Sequence, residues 1–560
     1  MPTLQFKGKS FVQNHHLAVK FHQLVGVKGK SLTDKVSLHD NLIVQGDNLK
    51  ALKALLPTYA GKVKCIYIDP PYNTGNEHWT YNDNVNSPMM QEWLGKEVDR
   101  EDLTRHDKWL CMMMPRLKLL KELLAKDGVI FVSIDDNEQH KLRVLMDEVF
   151  GESNFIAQLA VQLNPRGRHL DEFIARTHEH VVIYANDVNR SSTMGGLAKE
   201  GAMVEEYDQE DKRGKYRALG LRNRNQSFNP TTRPTLFFPL YVDAATGKVS
   251  VEKKGAFKDK VMPVASDGTE TCWTWSPKKI IAENELLFAT KMKDGTWRVF
   301  RKDYLFDEEG NQAETLAKSL WIDKDINNDE GRKALKDLLG ESALDFPKSH
   351  FLVEKIIKLS TGLDDLILDS FAGSGTTAHA VLKLNKEDGG NRRFILVEME
   401  DYADTITAER VRHVIKGVPK SKNFQEGTGG SFSYFKLGAP IEMEHILHGD
   451  RLPSYEELAR YVFYTATGEE FNAEDISTDK KKPFIGKSKY YPGGVYLFYE
   501  PRMEHLMNTA LTLDMARALG KHNNKRRLVF APMKYLDQDY LDEMRIDYSQ
   551  LPFEIYKFKG

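Results

Sequence analysis

The chain has 560 residues, 41% of them hydrophobic and 29% charged, with 79 basic side chains against 81 acidic ones. At about 150 residues per domain, this length gives about three to four domains and a large buried core, which excludes a lone recognition module, a disordered chain and a membrane protein. The formal charge of −2 argues against a nucleic-acid partner only as an average, because net charge hides local patches.

Cys65, Cys111 and Cys272 stand far apart and form no CxxC pair, so neither a disulfide framework nor a zinc cluster is expected, and no metal site is predicted. A reducing cytoplasm is the expected compartment. The N-terminal MPTLQFKGKS lacks an apolar run, and no stretch nears the roughly 20 apolar residues of a membrane helix, so no membrane role is expected.

Residues 1–40 read as an extension. From residue 41 short apolar runs alternate with helical periodicity, the pattern of parallel strands joined by crossover helices, so the predicted class is α/β. Leu42–Val44 predicts a strand ending at Gly46-Asp47, a helix follows on Leu49, Leu52 and Leu55, and the strand Cys65–Ile68 ends at Asp69. Trp109, Met113, Leu117, Leu120 and Leu124 fall at helical spacing, with Pro115 expected to kink or break that helix. The strands Val129–Ile134, Phe155–Val161 and His180–Tyr184 complete a first block, 41–187.

Between 188 and 340 this rhythm gives way to mixed strands and turns such as Asp267-Gly268 and Asp294-Gly295, which predicts a mainly β insertion. Over 341–417 the α/β pattern returns with a helix at Leu352–Leu359, the strand Leu366–Leu368, a glycine-rich turn, a helix through Leu384, and the strand Phe394–Val397 ending at Glu398. Gly427-Thr428-Gly429-Gly430 reads as a linker. The last block, 418–560, is a small α/β domain with strands at Val495–Tyr499, Leu528–Phe530 and Phe553–Tyr556.

Two motifs carry chemistry. Asp69-Pro70-Pro71-Tyr72, followed by Asn73-Thr74-Gly75, ends a core strand. Its prolines fix the backbone and donate no N–H, so the Pro70 carbonyl and the Asp69 carboxylate are two acceptors able to face one point. An exocyclic amino group on a flat heterocycle offers two N–H donors to such a pair, and Tyr72 is placed to stack on the ring. A rigid Pro-Pro turn with Asp69 capping a helix is the plainer alternative.

The second motif, Phe371-Ala372-Gly373-Ser374-Gly375-Thr376-Thr377, follows a strand and opens a helix, and Glu398 at the end of the next strand is placed to accept both hydroxyls of a ribose. This suits a nucleoside cofactor; ordinary strand-to-helix packing is the alternative. The Gly-Lys-Ser triplets starting at Gly8, Gly29 and Gly486 lack the leading glycine of a P-loop, so the sequence shows no ATP motor.

In this order the motifs resemble the amino-group DNA methyltransferases of the β-class permutation, and the segments around them resemble the modification subunits of type III restriction systems over about residues 40–440. The resemblance implies a Rossmann-like, circularly permuted S-adenosylmethionine-dependent methyltransferase fold, with 188–340 as a target-recognition domain. It makes Asp69, Pro70, Pro71 and Tyr72 the catalytic motif. It makes Phe371, Ala372, Gly373, Ser374, Gly375, Thr376, Thr377 and Glu398 the cofactor site. Asp47 matches a position lining the adenine pocket, and a helix N-cap explains it equally well.

The resemblance also puts the Leu366 strand beside the Cys65 strand and implies a homodimer and a separate restriction or helicase subunit. Pro347-Lys348-Ser349 departs from the Lys-Pro that relatives often carry. Aspartate at the first motif position favours adenine N6 over cytosine N4 as the target. Methylation at cytosine C5 is disfavoured because no cysteine follows a proline. The target base must leave the duplex to be reached.

Residues 212–233 contain no acid and carry Lys212, Arg213, Lys215, Arg217, Arg222, Arg224 and Arg233, the side-chain types that contact phosphates and purine edges of double-stranded DNA. A solvated loop is the alternative. His178 and His180 are expected to be structural, and Met112–Met114 to lie in the core. Two other functions fit less well: the sequence-reading subunit of a helicase-nuclease assembly with minor methylation, and a methyltransferase for RNA or a protein glutamine amide.

Overall fold

The computed structural model describes residues 3–74, 104–167, 171–340, 344, 347–441, 452–477 and 479–551. It forms two compact units, residues 1–195 with 318–560, and residues 196–317. In chain order the first unit begins with β1 (His22–Gly26), β2 (Leu42–Gln45), β3 (Val63–Ile68), β4 (Leu124–Ile134), β5 (Phe155–Val161) and β6 (Glu179–Ala185). Helices α1 (Asn48–Tyr59), α2 (Arg105–Leu123) and α3 (Gln139–Phe150) lie among them.

The second unit is mainly β. Its strands are β7 (Leu197–Ala198), β8 (Gln209–Asp211), β9 (Gly214–Gly220), β10 (Leu240–Asp243), β11 (Val249–Ser250), β12 (Phe257–Val261), β13 (Leu287–Lys291), β14 (Trp297–Tyr304) and β15 (Glu314–Thr315). They pair as β11-β10-β12, as β13-β14-β9-β8 and as the two-stranded ribbon β15-β7, over a core that includes Leu240, Val242, Trp273, Trp275 and Ile280. The predicted turns at Gly268 and Gly295 have left-handed φ of 85° and 86°.

Back in the first unit the chain adds β16 (Leu320–Trp321), β17 (Leu366–Asp369), β18 (Arg393–Glu398) and β19 (Ser433–Pro440), with α4 (His350–Ser360), α5 (Thr376–Asp388) and α6 (Glu409–Lys416). One ten-stranded sheet results, in the order β1-β19-β2-β18-β17-β3-β4-β6-β5-β16. Its centre, from β19 to β4, is parallel, and β6 runs against β4. Every residue of β3 and β17 is buried, which is why these strands read as unbroken apolar runs and not as alternating ones.

Helix α2 runs unbroken through Pro115. A proline in a helix interior costs about 3 kcal/mol, but Trp109, Met113, Leu117 and Leu120 on both sides of it are fully buried, and one such side chain recovers about 1.5–3 kcal/mol. Met112–Met114 lie in the same core. The sheet is also wider than the sequence pattern predicts. Strand β19 joins it beside β2, and β1 pairs antiparallel on the outer edge. The glycine segment before β19 is tied down: the amides of Thr428 and Gly429 donate to the carbonyls of Val414 and Ile415 at 2.9 and 3.1 Å, and a Cβ on Gly427 would strike the Ile415 carbonyl. Close packing against α6 explains Gly427, while Gly429 and Gly430 take left-handed φ of 75° and 106°.

Within this unit a second small sheet, β20-β21-β23-β25, contains β20 (Phe484–Gly486), β21 (Val495–Leu497), β23 (Arg527–Ala531) and β25 (Ile546–Gln550); the chain between them adds β22 (Ala510–Leu511) and β24 (Met533–Lys534). Helix α7 (Tyr455–Thr467) starts from a Ser454/Glu457 capping box and buries Leu458, Tyr461 and Val462 in that core. The predicted strand at 553–556 lies outside the described residues. Among those described, no helix is long and apolar enough to cross a membrane.

Candidate functional site

The chain leaves β17 through α5 toward β18 on one side and leaves β3 toward β4 on the other. The adjacent, parallel β17 and β3 therefore form the switch point of the sheet, where loops at the carboxyl ends diverge and leave a crevice. Asp69-Pro70-Pro71-Tyr72 follows β3, and the glycine-rich turn follows β17, so the fold brings both sequence motifs to that crevice.

At the first motif, Trp109 Nε1 donates to the Pro71 carbonyl at 2.6 Å and locks the proline turn onto α2. Asp69 sits against Lys348, whose Nζ is 3.0 Å from Asp69 Oδ2 and 3.3 Å from Glu179 Oε2. The same ammonium donates to the Tyr72 hydroxyl at 2.8 Å and lies 4.8 Å from the centre of its ring, and the Tyr72 hydroxyl donates to Glu179 at 2.7 Å. Because β6 is antiparallel, its first residue, Glu179, stands at the same edge of the sheet as the last residues of β3.

One lysine thus serves two carboxylates. Burial raises the Asp69 pKa; Lys348 pulls it down, Glu179 pushes it up, and the net result is raised. Burial alone would lower the Lys348 pKa, but two facing anions hold it above the usual lysine range. Tyr72, raised by burial and by both carboxylates, stays a neutral donor. The second oxygen, Asp69 Oδ1, is buried and accepts no hydrogen bond among the described residues. Next along the chain, Asn73 takes a left-handed φ of 57°, is fully buried and donates to Glu138 at 2.5 Å, and His106 also bonds that carboxylate.

At the second motif, Glu398 closes the loop by accepting from the amides of Gly373 at 2.7 Å and Glu400 at 3.0 Å. Asp369 holds its base, accepting from Thr377 Oγ1 at 2.6 Å and the Phe371 amide at 3.0 Å. Burial pushes the pKa of each carboxyl up to about 7. Thr377 is thereby spent inside the loop, while Ser374 and Thr376 turn to Arg410, whose Nη1 lies 2.6 and 2.8 Å from their hydroxyls. Ala372 is buried, and Phe371 packs at the edge of the core.

Gly375 has φ +81°, and a Cβ there would lie 3.2 Å from the Thr407 carbonyl and 3.3 Å from its methyl. Gly375→Ala is therefore expected to destabilise the chain by about 1–3 kcal/mol in a denaturant titration, from the left-handed backbone and the crowding together. Asp47 is the N-cap of α1, accepting from the Lys50 amide at 3.0 Å. Next to it, Asn48 bridges Arg116 and the Ser370 carbonyl, which joins α1 to the glycine turn.

In the second unit the basic run is acid-free in sequence but not in space. Arg217 is paired with Glu206 and, at 2.7 Å, with Asp303; Arg213 lies 3.2 Å from Glu308 and over the Tyr304 ring. Arg222 points to Thr271, and Arg233 lies over Phe228. Lys212, Lys215, Arg224 and Arg233 are exposed. His180 bonds Asp136 and Gln158, and its ring meets His178 edge-on at 5.2 Å.

Sequence reasoning missed Lys348, Glu179 and Arg410 as site residues. For Lys348 a signal was visible: a lone cation between Pro347 and the N-cap Ser349, before an apolar helix. Glu179 is revealed only by the reversed direction of β6, which no motif reports.

A family model described as DNA methylase matches residues 63–409. The chain is 37% identical over 377 residues to the type III restriction-modification enzyme EcoPI Mod subunit of Escherichia phage P1, covering 64% of this chain and 58% of that protein. It is 36% identical over 354 residues to the type II methyltransferase M.KpnI of Klebsiella pneumoniae, covering 63% and 79%. It is 29% identical over 496 residues to the type III restriction-modification enzyme StyLTI Mod subunit of Salmonella typhimurium, covering 84% and 70%.

Proposed function

Because the chain belongs to the DNA methylase family, we propose that it transfers a methyl group from S-adenosylmethionine to the N6 amino group of adenine at a specific site in duplex DNA. The observation that carries this reading is the Asp69 carboxylate, with one oxygen fixed by Lys348 and the other buried and without a donor among the described residues.

The glycine turn suits the cofactor chemically. Helix α5 starts at Gly375 with no capping side chain, the buried Ser370 Oγ and Arg410 Nε have no hydrogen-bond partner among the described residues, and Glu398 stands at the neighbouring strand end. The residues that would hold it are Phe371–Thr376, Glu398 and, beside α1, Asp47. When bound, S-adenosylmethionine supplies an electrophilic methyl on a sulfonium sulfur.

The protein's part is to make an amino group nucleophilic. Asp69 Oδ1 and the Pro70 carbonyl accept its two N–H bonds, which localises the nitrogen lone pair otherwise shared with the ring. A methyl accepted by that nitrogen would leave it cationic, and its extra proton would pass to Asp69 Oδ1. Tyr72, locked by Lys348 and Glu179, presents a fixed ring for the base to stack on. Lys212, Arg213, Lys215, Arg224 and Arg233 are the candidates for phosphate and base-edge contacts; Arg217 has its charge matched within its own unit, and Arg222 is half-buried.

Two of the matched proteins are named as Mod subunits of restriction-modification enzymes, which supports a separate restriction subunit as partner. The test is methylation-sensitive sequencing of DNA from a host expressing the chain. N6-methyladenine confined to one sequence motif is the expected result. N4-methylcytosine would move the target to the other amino base, and an unmodified genome would overturn the reading.

A further inference from the structure

Between β5 and β6, Phe173 is 89% exposed and the adjacent Ile174 81%, and no other large apolar side chain among the described residues is as exposed as Phe173. The two limbs leading to this tip stay in contact beyond the last ladder pair, Val161 facing Glu179. The Asn164 amide donates to the Thr177 carbonyl at 3.1 Å, and Gly167 passes so close to Ala175 that a Cβ on the glycine would lie 2.7 Å from the alanine methyl. Asp171 then clasps Arg176, accepting from its amide at 2.8 Å, from Nη2 at 2.9 Å and from Nε at 3.3 Å. Residues 172–175 lie inside that clasp, so Phe173 and Ile174 are held out in solvent.

A single apolar side chain on a surface needs no reason, but two neighbours at a clasped tip call for one. Position supplies it. Glu179, which accepts from the Tyr72 hydroxyl at 2.7 Å, stands at the edge of the sheet where β3 releases Asp69. Ile174 comes five residues before Glu179, a stretch of chain that spans at most about 18 Å, so the tip stands beside the crevice. Its charges cancel, Asp171 and Glu172 against Arg166 and Arg176, so it offers apolar surface and little attraction for phosphate. A duplex from which one base has been drawn into the crevice exposes, next to it, the flat apolar faces of the neighbouring base pairs. Apolar side chains wedged between base steps hold such a gap open.

We propose that Phe173 and Ile174 form a wedge that enters the duplex at the place left by the target base while that base rests on Tyr72. This rests on the methyl-transfer reading given above and deepens it by naming the part of the chain that keeps the emptied stack open. Phe173 lays its ring on the face of a neighbouring base, Ile174 fills the remaining width, and the Asp171–Arg176 clasp keeps both from folding back against the protein. Stacking on the wedge replaces part of the contact that the departing base takes with it.

The experiment is methyl transfer by the full chain, as wild type and as the double variant Phe173→Ala/Ile174→Ala, on two duplexes carrying the sequence motif returned by the sequencing above. In one the target base is paired; in the other it stands opposite a mismatch. Both side chains are exposed, so the double variant keeps its core intact. Its kcat/KM is expected to fall about 10- to 100-fold on the paired duplex and no more than about 3-fold on the mismatched one, whose target base leaves the stack at lower cost. Phe173→Trp, with a flat ring in the same place, is expected to stay within about 3-fold of wild type on both. An equal loss on the two duplexes overturns the proposal, because a structural or phosphate-binding role lowers both alike. An undiminished rate on the paired duplex also overturns it and leaves the tip as a docking point for a partner protein. A wild-type chain that methylates neither duplex defeats the methyl-transfer reading itself, a different outcome.

Discussion

Asp69→Ala is expected to lower kcat for methyl transfer by about 10³-fold or more while cofactor affinity, read by calorimetry, stays within about 3-fold. The asymmetry follows from position. Asp69 Oδ1 is buried without a donor among the described residues, while the residues assigned to the cofactor follow other strands, β2, β17 and β18. Asp69→Asn should fare little better, because an amide offers an N–H where the incoming amino group needs an acceptor. The pH profile carries the same information. Transfer needs the ionised carboxylate, and burial raises the Asp69 pKa, so the acid limb of kcat should lie above the pH at which an ordinary aspartate titrates. Transfer by Asp69→Ala at the wild-type rate would remove Asp69 from the mechanism.

Lys348→Met has the second large expected effect, and on two observables. The substitution leaves Asp69 and Glu179 buried together without a cation, a change of about 3–5 kcal/mol when one partner of a buried pair is lost. The protein can avoid that cost by keeping a proton on the pair. The acid limb of kcat should then move to higher pH, since Lys348 is the group that lowers the Asp69 pKa.

Stability should respond with a definite sign. A carboxyl whose folded pKa lies above its unfolded one contributes stability at low pH and loses it as pH rises through the folded value. The loss in Lys348→Met should therefore be smallest in acid and grow toward neutral and alkaline pH. Adding Glu179→Gln should recover part of it by removing the second anion. Parallel denaturant titrations across pH decide this: a destabilisation of the same size at every pH would mean that Lys348 acts by packing alone.

Much of this site was legible in the sequence because its carriers are local. A Pro-Pro pair after an apolar run and a glycine turn between strand and helix constrain their own backbones, so Asp69–Tyr72 and Phe371–Thr377 are readable wherever the chain goes next. What could not be read is what depends on direction and distance. Glu179 joins Tyr72 only because β6 runs antiparallel, and Lys348 reaches Asp69 from 279 positions away. Burial of Arg410 is invisible in a segment rich in charges, and β1, with its half-exposed HQLVG, carries too weak an apolar pattern to announce an edge strand. At Pro115 the converse holds: the break that a local rule allows is outweighed by packing on both sides of it.

The ribbon formed by β7 and β15 has a further consequence. Leu197 faces Thr315 and Ala198 faces Glu314, so the strand leading into the second unit and the strand leading out of it are hydrogen-bonded to each other. A segment closed at its own neck behaves as a cassette. Whatever lies beyond the neck can be lengthened, trimmed or exchanged for another lobe without changing the register of a single strand in the ten-stranded sheet.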